Sequence, residues 1–250
     1  MKIIIGFFGL SRSLRFTMPS IASHILAPIT ASGLPVIKIG HFNMPKTIDN
    51  PRSDERAIVP DRDEIGPLEL DLRWVEPQND QTILSTFNKV ARWGDYFGDD
   101  YISLRNLCHQ LRSLDRLWSL IELAGVEDDD IFFLLRPDLQ YVDPLDFFSV
   151  FATIMSNEAD LIVPSWQHWG GVNDRFAFGN ARAARHYATR WREVEEGCTH
   201  LGGMHAETFL RYVVERHGLQ LGFTDMRALR VRANGLTAAN DLTMLLGLEQ

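Results

Sequence analysis

The chain has 250 residues, of which 45% are hydrophobic and 23% charged, with a formal net charge of -8. That length suits one large α/β domain with a sizeable core, and the composition is that of a globular chain, not a disordered one. The acidic balance, with Lys and Arg spread along the chain, excludes double-stranded nucleic acid as main partner, because phosphate neutralisation needs a concentrated basic face.

A few arginines can still hold one phosphorylated small molecule against an acidic background. The two cysteines, Cys108 and Cys198, lie far apart without metal spacing and read as reduced thiols. No apolar run reaches the length of a membrane span, and the opening run is too short for a signal peptide. A cytoplasmic chain is expected, compatible with peripheral membrane association.

Residues 3–8 form a continuous apolar run, as in a strand covered on both faces. The small-residue turn Gly9-Leu10-Ser11-Arg12-Ser13 follows. Residues 18–29 read as a helix, with Thr17 as N-cap and Pro19 in the first turn. Residues 36–39 read as a second strand ending at Gly40-His41, so the first two strands should be parallel with a right-handed crossover. Residues 43–68 carry four prolines and read as a long loop, a type often functional.

Residues 70–75 suggest a third strand. Residues 81–124 show apolar positions every three and four residues, the spacing of helix. Gly125 stops that pattern, and Ile131-Phe132-Phe133-Leu134-Leu135 is the clearest central strand. Then come a helix over 145–156, short strands over 160–163 and 176–178, helices over 180–195 and 205–217, and closing strands over 219–223 and 229–231.

In open parallel sheets, ligands bind beyond the carboxyl ends of the strands. That selects residues 9–13, 41–56, 136–143 and 164–175. In the first loop, backbone amides and Arg12 suit a phosphate. The alternative is a tight turn with a solvated arginine. No Gly-x-Gly-x-x-Gly or P-loop motif is present.

Pro137 cannot donate a ladder hydrogen bond, so Arg136-Pro137-Asp138 ends a strand at the sheet rim. There Asp138 can ligate a divalent cation or a sugar hydroxyl, and Arg136 can pair with a diphosphate or orient Asp138. An Arg136–Asp138 ion pair tying down the turn is the alternative. In the loop over 164–175, Trp166 and Trp169 offer stacking faces, and Gly170-Gly171 allow close backbone approach. Asp174 can bind hydroxyls or act as a base. A Trp-anchored packed loop with an Asp–Arg pair is the other reading. His200, His205 and Glu207 match no metal motif and read as a helix-start loop near the site.

On Gly9-Leu10-Ser11-Arg12-Ser13, the loop Asn50-Pro51-Arg52-Ser53-Asp54-Glu55, Leu135-Arg136-Pro137-Asp138-Leu139 and residues 171–179, the chain resembles bacterial polysaccharide-type glycosyltransferases of the GT-A fold. The resemblance implies a single α/β, Rossmann-like domain over 1–250, with a mostly parallel central sheet flanked by helices. Residues 1–143 would bind a nucleotide-sugar donor, and 144–250 would face a glycan or lipid-linked saccharide acceptor in surface polysaccharide synthesis.

Gly9, Ser11, Arg12, Arg52, Arg136 and Asp138 are then the donor-binding residues. Trp166, His168, Trp169, Gly171, Asn173 and Arg175 are the substrate-binding ones, with Asp174 and Asp138 catalytic. The family's Asp-x-Asp motif holds Mn²⁺ or Mg²⁺. Here Asp138 matches its last acid and Arg136 replaces its first, so metal dependence stays open. Two further readings remain: a metal-dependent phosphohydrolase or nucleotidyltransferase built on Asp138, Asp143 and Asp146, and a carbohydrate-binding protein using Trp166 and Trp169.

Overall fold

The computed structural model describes residues 1–50 and 55–245. Its first half runs β1 (Ile3–Leu10), α1 (Leu14–Ser20), a π-helical turn (Ile21–Leu26), α2 (Ala27–Ala31), β2 (Val36–Met44), β3 (Ile48–Asn50), β4 (Glu55–Ile58), β5 (Leu72–Pro77), α3 (Leu84–Ala91) and α4 (Ile102–Leu123). It continues with β6 (Ile131–Leu135), β7 (Leu139–Tyr141), α5 (Phe147–Met155), β8 (Leu161–Pro164), β9 (Ala177–Asn180), α6 (Ala181–Thr189), α7 (Val194–Leu201), α8 (Ala206–Arg216), β10 (Leu221–Thr224), β11 (Ala228–Arg230) and α9 (Ala239–Leu245).

The fold is α/β around a mostly parallel sheet, as expected. Seven strands lie in the order β10-β8-β9-β6-β1-β2-β5. β1 is parallel to β2 and β6, β2 to β5, and β8 to β10, while β9 runs antiparallel between β6 and β8. β1 is apolar at almost every position because it sits mid-sheet with helices on both faces. Ile3, Ile5 and Phe7 pack with Leu14, Ile25 and Phe147 on one face; Ile4 and Phe8 pack with Leu114, Leu117 and Tyr187 on the other. Phe7 and Phe8 are fully buried, and each burial contributes about 2–3 kcal/mol. Among the described residues, no helix is long and apolar enough to cross a membrane.

Several boundaries differ from the sequence expectation. The first helix begins at Leu14, and Pro19 lies inside it. A proline there removes an intrahelical N–H, and the helix widens into a π turn two residues later. Thr17 is therefore not its cap; its hydroxyl donates to Pro137 O at 2.6 Å.

β2 runs on to Met44 because β1 and β5 pair with it on both edges, so His41 is a buried strand residue and not the start of a loop. The helical stretch over 81–124 is two helices. Between them Gly94, Gly98, Asp100 and Tyr101 have positive φ, and the Asp95 carboxylate accepts the N–H groups of Phe97 and Tyr101. β7 pairs antiparallel with β11, which brings the C-terminal segment back beside the end of β6.

Candidate active site

The sheet opens beyond the ends of β1, β2 and β6 into a cleft of about 910 Å³. Its floor depends on α4. There Ser103, Asn106, Gln110 and Ser113 recur at three- and four-residue spacing on one stripe. The Ser113 hydroxyl accepts from Gly9 N at 2.8 Å, donates to His41 O at 2.9 Å, and lies 2.9 Å from His41 Nδ1. Burial pushes His41 down to about 4, so it is neutral at physiological pH. Gly9 turns the chain at φ +101, a conformation that favours glycine. Arg12 follows at the mouth.

At the end of β6, Pro137 breaks the ladder and the buried Asp138 turns back toward the cleft. Its carboxylate accepts from Arg136 Nε at 3.0 Å, Arg136 Nη2 at 2.9 Å and Arg12 Nη2 at 3.0 Å. Arg12 Nη1 also donates to Glu55 at 3.0 Å. Burial alone would raise the Asp138 pKa, but Arg136 and Arg12 hold it well below the usual carboxylate range. Burial opposes the charge on Arg136, and Asp138 outweighs it.

Asp138 is thus an ionised anchor for two guanidinium groups. Both its oxygens are engaged, and a divalent ion placed on them would meet both arginines. The residues present do not fit a metal site at this turn. Among the described residues, the set with ligand atoms within 4.8 Å of one another is His186, Glu193 and His217, which is not part of the cleft lining.

The cleft lining also includes Trp169, Asp174, His205 and Glu207. Asp174 accepts from Gln110 Nε2 at 3.3 Å and lies 3.6 Å from Arg190 Nη2, while Tyr187 donates to its main-chain oxygen at 2.8 Å. Glu207 is brought beside it by Gly171: Val172 N donates to Glu207 O at 2.9 Å, and a Cβ on Gly171 would stand 2.0 Å from the Glu207 carbonyl carbon. Burial, with the Asp174 charge second, pushes Glu207 up to about 8. At neutral pH Glu207 therefore holds its proton. His205 Nδ1 lies 3.3 Å from Glu207 Oε2, and burial lowers its pKa. The exposed rings of Tyr96, Phe97 and Trp169 also line the cleft.

No family model matches the chain, and no curated protein matches it. Among solved structures, it is similar to mouse xyloside xylosyltransferase 1 in its apo form. The identity is 11% and the TM-score 0.42, over 89% of this chain and 84% of that one.

Of the residues singled out in the sequence, Gly9, Arg12, Arg136, Asp138, Trp169 and Asp174 line the cleft. Arg52 lies outside the described residues. Ser11 turns inward, and its hydroxyl donates to Glu64 at 3.2 Å. Trp166 is buried under Arg175, whose guanidinium lies 5.0 Å from the ring, and its indole donates to Met226 O at 3.1 Å. Arg175 bonds Asp241 at 2.8 Å and also Gln167.

Asn173 donates from its side chain to Trp166 O at 2.6 Å, and His168 Nδ1 accepts from Asn173 N at 3.2 Å. The side chains of Trp166, His168, Asn173 and Arg175 build the loop and do not line the cleft. Gly171 makes its close approach to the Glu207 backbone and not to a ligand. Asp143 is held by Arg227, and Asp146 caps α5, so neither converges on Asp138 in a carboxylate cluster. Sequence reasoning left out Asn43, His109, Gln110, Arg230 and Arg232, all of which line the cleft. The polar stripe on α4 was the available signal for Gln110; the arginines had none.

Proposed function

We propose that the chain is a glycosyltransferase that moves a sugar from a nucleotide-sugar to a saccharide acceptor. One observation carries the reading. A single cleft at the strand ends joins an arginine-lined corner to a carboxylate pair under exposed aromatic rings.

In this reading the corner at Arg12 and Arg136 binds the diphosphate, and Trp169 stacks against a sugar face. Asp174 takes the proton of the acceptor hydroxyl as its oxygen bonds to the anomeric carbon. The bond from that carbon to the diphosphate oxygen breaks, and the diphosphate leaves with the electron pair. The arginines stabilise that departing charge, the kind of interaction that is stronger in the transition state than in the ground state. Protonated Glu207 supplies a hydrogen-bond donor to the acceptor. Residues 1–143 carry most of the donor side and 144–250 the acceptor side. A glycan or lipid-linked saccharide on the route to surface polysaccharide, made at the cytoplasmic side of a membrane, is the acceptor class this reading favours.

The test is Asp174→Asn assayed against a panel of nucleotide-sugars and saccharide acceptors. Turnover should fall by about 10²–10⁴, while the melting-temperature rise given by a nucleoside diphosphate should persist. A variant with full turnover, or a wild-type chain whose melting temperature no nucleotide shifts, would refute the reading.

A further inference from the structure

Arg12, Arg136, Arg230 and Arg232 all line the cleft, and Arg175 stands behind them. Their carboxylate partners are Glu55 for Arg12, Asp138 for Arg12 and Arg136, and Asp241 for Arg175 and Arg230. Among the described residues, these five guanidinium groups thus have three carboxylates at ion-pair distance. Among the described residues no carboxylate reaches ion-pair distance of Arg232. Its Nε is buried without a hydrogen-bond partner, and so is Nε of Arg12, whose side chain is 9% exposed. Arg232 is pulled down to about 10 by burial and then by the charges of Arg12 and Arg230, against the pull of Asp138 and Glu55.

The backbone enforces this crowding. Val231 N donates to Asp138 O at 2.8 Å and Arg232 N to Leu236 O at 2.8 Å, while Ala233 N donates to Glu55 at 2.8 Å. Asp241 also grips Arg230 through its main-chain N at 2.7 Å and its Nη2 at 2.9 Å. A fold that holds surplus, partly desolvated cations against a cleft lacks a counter-charge there. The planar forks match phosphate oxygens bidentately. A divalent cation at the same corner would add to the repulsion.

We infer that the corner binds a diphosphate directly through Arg12, Arg136, Arg230 and Arg232, with no divalent cation, and that the C-terminal segment completes the donor site. That the diphosphate belongs to a nucleotide-sugar rests on the transferase reading; that the corner takes the anion without metal does not.

Isothermal titration calorimetry of the full chain in excess EDTA, with inorganic pyrophosphate and then uridine and guanosine diphosphates, tests this. Pyrophosphate and at least one nucleotide should bind in EDTA, and added Mn²⁺ should not tighten them. Arg232→Ala should melt no lower than wild type does, since among the described residues no ion-pair partner holds that side chain and its burial beside Arg12 and Arg230 is unfavourable, yet weaken pyrophosphate about tenfold or more. Arg232→Lys should recover part of the loss. Binding that appears only with Mn²⁺, or an Arg232→Ala affinity equal to wild type, would overturn the inference and leave the transferase reading standing. Pyrophosphate binding in EDTA without binding of any nucleotide or nucleotide-sugar would do the reverse.

Discussion

Replacing Glu207 with glutamine should alter how the stability of the fold depends on pH. Burial and the neighbouring Asp174 push Glu207 from 4.5 to about 8, and its side chain is 14% exposed. At 1.36 kcal/mol per unit, ionising it in the folded chain costs up to about 5 kcal/mol more than in the unfolded chain. The folded pKa is raised, so between about pH 4.5 and 8 the unfolded chain binds fewer protons than the native one. Stability from this group is therefore complete below about pH 4.5, falls as pH rises, and is lost above about pH 8. Glutamine does not titrate.

Urea denaturation of both proteins, followed by tryptophan fluorescence, gives the difference in unfolding free energy. It should rise in favour of Glu207→Gln across about pH 5 to 9, by several kcal/mol. Titrations shared by both proteins, such as those of Glu64 or His41, cancel in that difference. Adding Asp174→Asn to both backgrounds should shrink it, because one of its two main causes is gone. Parallel stability profiles would refute the claim that Glu207 is a desolvated partner of Asp174.

Two further outcomes follow from the packing of the site. Gly171→Ala places a methyl 2.0 Å from the Glu207 carbonyl carbon and 2.3 Å from Thr208 N. Backbone atoms cannot yield cheaply, so stability should drop by about 3 kcal/mol or more in denaturant titrations, with turnover falling as Glu207 is displaced. Asp138→Asn leaves Arg12 and Arg136 facing a neutral amide in a buried corner. It should cost about 3–5 kcal/mol, read as a lower melting temperature, and an unchanged melting temperature would contradict the anchoring role.

Much of the scaffold was legible before the structure. The runs at Ile3–Leu10 and Ile131–Leu135 read as central strands, because a strand buried on both faces has no polar side to show. The turn at Arg136-Pro137-Asp138 was legible as a sheet rim because proline cannot continue a ladder. Whether Asp138 held a metal or an arginine was not legible, since that depends on Arg12 arriving from a different strand end. The extent of β2 was also hidden: His41 looks like a loop residue until β5 is known to cover its outer edge.

The division follows the range of the interactions. Helix and strand periods, proline stops and apolar runs act between near neighbours in the chain, so the sequence by itself determined the α/β class, the central strands and the loops able to carry chemistry. The site required residues that only sheet order and helix packing bring together. Glu207 stands beside Asp174 because a glycine at 171 admits its backbone, and Arg230 and Arg232 join Arg12 because β11 pairs with β7. Tertiary structure alone decided those meetings.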